Sequence, residues 1–144
     1  PMDVRFIELM PIGMGEKLAP VSNEVILEKL LQKYPKLKRD ERKHGNGPAV
    51  YYHIPGALGS VGFISAIHGR FCESCNRIRM TSTGDIKGCL CYDEGISIKE
   101  ALRRGDRRMV RTLLTKAIQN KPNGHCFDQK GSITEHRKMS RIGG

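Results

Sequence analysis

Cys72-Glu73-Ser74-Cys75, followed by Cys89, spells C-x2-C-x13-C, the stretch of this sequence with the most evident chemistry. Thiolates ligate both zinc and iron–sulfur clusters, and what such a site does depends on how many sulfurs it receives. Cys91, two residues beyond Cys89 and on the same face of a regular strand, could complete a closed four-thiolate zinc ribbon. If only three sulfurs take part, a cluster keeps one iron open to a substrate. The spacing leaves both readings standing. Unliganded buried cysteines are the weaker alternative, because four of the five cysteines crowd between positions 72 and 91.

Asn76-Arg77-Ile78-Arg79-Met80 follows the cysteine pair directly. Strand alternation sets Arg77 and Arg79 on one face, beside the metal site, and Ile78 and Met80 on the other. A guanidinium is a rigid fork of donors matched to phosphate oxygens, so this face suits a triphosphate. The competing reading pairs both arginines with surface carboxylates such as Asp85, Asp93 or Glu94.

These residues need elements to hold them. Val4 to Met10 reads as a buried strand closed by Pro11-Ile12-Gly13. Ser22 caps a helix in which Leu27, Leu30, Leu31 and Tyr34 recur until Pro35, and one face of it should pack on a sheet. Lys36 to Gly47, rich in lysine and arginine, is expected as an exposed turn or loop. Ala49 to Ile54 and Ser60 to His68 are expected strands about Pro55-Gly56, and Arg77 to Thr81 and Asp85 to Cys91 form a second pair about Ser82-Thr83-Gly84. Ser97 is the expected cap of a helix over 98–104. Asp106 is the expected cap of a longer one with an apolar stripe of Met109, Val110, Leu113, Leu114, Ala117 and Ile118. The expected class is α+β, a small antiparallel sheet with flanking helices. From His125 to Gly144 the chain is polar and basic, a tail that folds over something or stays mobile.

The 144 residues suit a single domain with one modest core. No apolar run approaches the roughly 20 residues that span a bilayer, and the expected location is the cytoplasm. An odd number of clustered cysteines fits metal ligation in a reducing compartment better than a disulfide framework. A formal charge of +10 makes an anionic partner reasonable without choosing among nucleotides, nucleic acid and acidic proteins. An opening that enters strand sequence at once, Pro1-Met2-Asp3-Val4-Arg5, suggests a fragment.

Taken together, the residues resemble the GTP 3′,8-cyclase family, also called molybdenum cofactor biosynthesis protein A. The matching stretches are Arg5-Phe6-Ile7-Glu8-Leu9-Met10-Pro11-Ile12-Gly13, Gly59-Ser60-Val61-Gly62-Phe63-Ile64-Ser65, Phe71-Cys72-Glu73-Ser74-Cys75-Asn76-Arg77-Ile78-Arg79-Met80, Cys89-Leu90 and Met139-Ser140-Arg141-Ile142-Gly143-Gly144. The cysteine–arginine block together with the terminal Gly-Gly is the specific part. The resemblance implies that Cys72, Cys75 and Cys89 hold a [4Fe–4S] cluster whose fourth iron is left for the purine of GTP. It also implies that Arg77 and Arg79 help hold the nucleotide and that Arg5, on a late strand of an incomplete (β/α) barrel, lies near its phosphates. Gly143 and Gly144 would reach into the active-site cavity, where a backbone without side chains can thread a narrow space.

On this reading residues 1–35 are the last strand and helix of a truncated barrel, 36–124 the iron–sulfur domain and 125–144 a basic tail. The family's radical-generating C-x3-C-x2-C motif does not occur in the sequence. A second [4Fe–4S] cluster and S-adenosylmethionine would therefore belong to a missing N-terminal barrel half, and the segment alone should be inactive. The expected partners are GTP, that barrel half and, by product hand-over, cyclic pyranopterin monophosphate synthase, in a homodimeric parent. Two departures stand out: Arg70 occupies a place where members often carry proline, and Cys91 adds a thiol beside the third ligand. The alternative function is a zinc-ribbon nucleic-acid module using Cys72, Cys75, Cys89 and Cys91. An aromatic content of 6% with no tryptophan leaves it little for base stacking. A ubiquitin-like carrier using the Gly-Gly end lacks the strand and helix order such a fold needs.

Overall fold

The computed structural model describes residues 1–142, so Gly143 and Gly144 lie outside the described residues. The chain divides into two compact units: residues 1–10 with 19–74, and residues 11–18 with 75–142.

The first unit is built on a four-stranded sheet in the order β1-β4-β3-β2, with β1 at Val4–Ile7, β2 at Lys38–Arg39, β3 at Val50–His53 and β4 at Ser60–Ile64. β1 runs parallel to β4, whereas β3 is antiparallel to both β4 and β2. The expected antiparallel hairpin of β3 and β4 is present, but this sheet is mixed. β1 is its edge strand, with Val4 and Ile7 48% and 58% exposed, which corrects the expectation of a buried strand. Phe6 stacks on Phe63 at 5.6 Å between ring centres, and Tyr52 meets the same ring edge-on at 5.7 Å, giving the sheet its apolar face.

Ser22 caps helix α1, Asn23–Lys33, its hydroxyl accepting from the Val25 N–H. Ile26, Leu27, Leu30 and Tyr34 are half-buried, while Leu31 faces outward at 40% exposure. The 36–47 segment is more than a loop. It contributes β2, and the nearly buried Asp40 carboxylate gathers hydrogen bonds from Arg42, Ser60 and His44, which hold its pKa well below the ordinary carboxylate range.

The second unit has a three-stranded antiparallel sheet, β5 (Arg79–Met80), β6 (Asp85–Lys87) and β7 (Ile96–Ser97), in that order. The Ser82-Thr83-Gly84 turn joins β5 and β6 as the sequence suggests, with Arg79 opposite Lys87 and Met80 opposite Ile86. Helix α2 spans Lys99–Arg103 and has Ile98, not Ser97, at its N-cap position, because Ser97 is already committed to β7. Asp106 caps α3, Arg107–Gln119, accepting from the Met109 N–H at 2.9 Å. Leu113, Leu114 and Ala117 pack against Ile86, Ile96 and Ile98 to form the core. Met109 and Ile118 lie at the two margins of that face and are exposed at 48% and 55%, so the buried stripe is narrower than its composition suggests.

The basic tail folds into this unit. Cys126, Phe127, Ile133, Glu135 and Ile142 are buried, and the Thr134 and Glu135 amides both donate to the Cys91 carbonyl. Glu135 is held by Lys87 and Arg137 in a buried ion triad, with neither Lys87 nor Glu135 reaching solvent. Burial alone would raise the Glu135 pKa, but hydrogen bonds from Arg137 and Lys87 keep it down at about 2.

Candidate functional site

The five cysteines separate into two sets. Cys91 and Cys126 form a disulfide, while Cys72, Cys75 and Cys89 stand outside it, each partly exposed. The pairing corrects the expectation of no disulfide for Cys91 and Cys126, and it removes Cys91 from the four ligands a zinc ribbon requires. Its cause is tertiary: the tail returns to lay Cys126 against the end of the β6 segment, where the Cys126 N–H also donates to Cys91 Sγ at 3.1 Å.

Cys72 opens a short 3-10 turn, Cys72–Ser74, in the first unit, closed by Ser74 Oγ donating to the Phe71 carbonyl. The segment before that turn is anchored by Glu8, only 3% exposed. Its carboxylate accepts from the Ile67 and His68 amides at 2.7 and 3.0 Å, and from the Asn23 amide at 3.4 Å. His68 Nδ1 lies 3.0 Å away on the same carboxylate. Burial opposes ionisation of Glu8, and these bonds outweigh it and lower the pKa.

Cys75 and Cys89 belong to the second unit. Each sulfur receives a nitrogen donor. The Cys91 amide donates to Cys89 Sγ at 3.5 Å, and Lys121 Nζ donates to Cys75 Sγ at 3.6 Å. The same ammonium donates to the carbonyls of Arg77 at 3.0 Å and Gly88 at 2.7 Å. Lys121 is the functional candidate that sequence reasoning missed. It stands in a Lys-Pro-Asn-Gly run that reads as a helix terminator, and nothing local relates it to a cysteine 46 residues away.

Arg77 and Arg79 both point to the half-buried side, with Ile78 and Met80 outward at 39% and 56%, as alternation predicts. Burial lowers the Arg79 pKa and the Arg77 charge lowers it further, while Cys75 and Cys89 act in the opposite direction. Arg79 is thus within electrostatic reach of both sulfurs. Arg5 belongs to the first unit, where the register aligns Arg5, Gly62 and Tyr51 in one row across β1, β4 and β3. A side chain at 62 would come within 2.9 Å of the Tyr51 ring and 3.3 Å of the Arg5 stem. Glycine there lets the Arg5 guanidinium lie 5.7 Å from the Tyr51 ring centre and donate to its hydroxyl.

The two readings of the cysteines ask for different geometry. A structural zinc needs four ligands within about 2.0–2.3 Å of one atom. Among the described residues, no three histidine, cysteine, aspartate or glutamate side chains converge in that way. Cluster thiolates sit on different irons, and hydrogen bonds to their sulfurs are a regular part of such sites. Within the second unit, the Cys75 and Cys89 sulfurs each have such a donor.

Residues 2–127 match the family Molybdenum Cofactor Synthesis C. A GTP 3′,8-cyclase of Clostridium perfringens is 43% identical over 145 residues, covering 100% of this chain and 45% of its own length. The GTP 3′,8-cyclase of Peptoclostridium acidaminophilum is 42% identical, covering 99% of this chain and 43% of its own length. That of Desulforamulus reducens is 40% identical, covering 100% and 45%. The chain therefore spans less than half the length of these curated relatives. With the cysteine–arginine block inside the matched region and the similarity running across the whole chain, this protein belongs to the Molybdenum Cofactor Synthesis C family that GTP 3′,8-cyclases carry.

Proposed function

We propose that this chain is the part of a GTP 3′,8-cyclase that binds GTP and a [4Fe–4S] cluster, acting in the formation of the cyclic pyranopterin precursor of the molybdenum cofactor. The observation that carries the reading is the separation of the cysteines: the two outside the C-x2-C-x13-C set are bonded to each other, and the disulfide takes none of Cys72, Cys75 and Cys89. A three-thiolate cluster, when bound, offers one iron without a protein ligand to a purine nitrogen or oxygen. The chain's own contribution is positioning and charge. Arg77 and Arg79 present guanidiniums to the triphosphate, and Arg5, held by Tyr51, is a third candidate for phosphate oxygens. Gly143 and Gly144 remain proposed as the backbone that enters the cavity.

The generation of a radical from S-adenosylmethionine, and the second cluster it needs, are assigned to sequence outside these 144 residues, since the cysteine spacing for it is absent here. The chain alone is expected to make no GTP-derived product, and product formation by it would overturn that division of labour. The test of the cluster is iron and acid-labile sulfide content after anaerobic reconstitution. About four of each per chain, lost in Cys72→Ala, supports the reading, whereas one zinc per chain and no sulfide removes it.

A further inference from the structure

Lys121 accounts for all of its hydrogen-bonding capacity in one place. An ammonium has three N–H donors, and Lys121 directs them to Cys75 Sγ, the Arg77 carbonyl and the Gly88 carbonyl. These acceptors lie on the two segments that carry Cys75 and Cys89, so one cation ties both together. The backbone is shaped for the contact. A Cβ on Gly88 would approach the Lys121 Cα to 3.1 Å and its Cβ and Cγ to 3.4 Å, so a side chain there would push the lysine stem away.

We propose that Lys121 is a positioning residue for the cysteine ligands: it fixes the Cys75 and Cys89 segments relative to each other and donates a charged N–H to the Cys75 sulfur. The inference rests on the cluster reading above. A positive donor on a ligating sulfur withdraws charge from the thiolate and favours the reduced, more negative form of the cluster, which raises its reduction potential. Locking two ligand segments together also slows the opening through which iron is lost. Neither effect requires Lys121 to touch substrate.

The anaerobically reconstituted chain provides the test, with Lys121→Met, Lys121→Gln and Cys75→Ala compared with the parent sequence. The readouts are the reduction potential, followed by the electron paramagnetic resonance of the reduced cluster, and the rate of iron release to a ferrous chelator. Lys121→Met is expected to shift the potential to more negative values and to release iron about 10–100-fold faster. Lys121→Gln, which keeps two neutral N–H donors, should fall between, and it carries the test if the Met variant fails to fold. Cys75→Ala should lose iron and sulfide. If Cys75→Ala loses the cluster while both Lys121 variants keep the parent potential and release rate, the role given to Lys121 is wrong and the cluster reading stands. If Cys75→Ala retains a full complement of iron and sulfide, the cluster reading fails and takes this inference with it.

Discussion

Cys91 is bonded to Cys126 across a sequence separation of 35 residues, and the Cys91 carbonyl takes the amides of Thr134 and Glu135 besides. The tail is thus joined to the end of the β6 segment covalently and by backbone hydrogen bonds. Closing a loop of that length stabilises a fold by about 2–4 kcal/mol. Cys126→Ser is therefore expected to lower the urea midpoint by a corresponding amount, as reduction of the parent chain should. In a non-reducing alkylation experiment read by mass spectrometry, Cys72, Cys75 and Cys89 should be labelled and Cys91 and Cys126 protected. Labelling of all five would refute the pairing.

Glu135 makes stability depend on acid. Its folded pKa, about 2, is below the ordinary 4.5, so its contribution is fully present above pH 4.5 and declines as pH falls through 2. A displacement of that size is worth roughly 3 kcal/mol. Melting followed between pH 7 and pH 2 should show this loss in the parent chain and a shallower slope in Glu135→Gln. Glu135→Ala, which leaves Lys87 buried without its partner, is expected to cost about 3–5 kcal/mol at neutral pH. Unchanged melting of the Ala variant would mean that the triad is not formed.

Glu8 should link the fold to metal retention. Its carboxylate holds the Ile67 and His68 amides, five and four residues ahead of Cys72. Glu8→Gln keeps the size but loses the charge and places an N–H against donors. A cost of about 1–3 kcal/mol is expected, together with lower iron content after reconstitution. If the variant is destabilised yet retains all its iron, the anchor has no bearing on metal binding at Cys72.

If the proposed function holds, Arg79 variants should separate nucleotide binding from cluster binding. Hydrogen bonds to charged groups are worth about 1.5–3 kcal/mol, so Arg79→Ala should weaken GTP binding to the reconstituted chain about 10–100-fold. Arg79→Lys should restore only part of it, since a point charge lacks the planar fork. Calorimetric titration with GTP measures the affinity, and iron analysis checks that the cluster is retained. Equal affinity in the Ala variant would remove Arg79 from the nucleotide site.

The legible part of this protein is the part encoded by near neighbours. Ser22 and Asp106 announce their helices because a cap acts over three residues, and the alternation that turns Arg77 and Arg79 inward needs only a locally extended backbone. The C-x2-C-x13-C motif carries its donor chemistry in its spelling. What neighbours could not tell is which distant groups meet. Ser97 looks like a cap until Ile96–Ser97 pairs with β6, and Val4–Ile7 looks buried until the sheet order makes it an edge. The polar tail reads equally as a segment folded over something or a mobile one until Glu135 finds Lys87 and Cys126 finds Cys91. Lys121 becomes legible only once the chain has carried it 46 residues back to Cys75. Caps, turns and strand faces follow from torsions and contacts within a few residues, whereas a disulfide, a buried ion triad or a lysine on a cysteine sulfur depends on the path of the whole backbone.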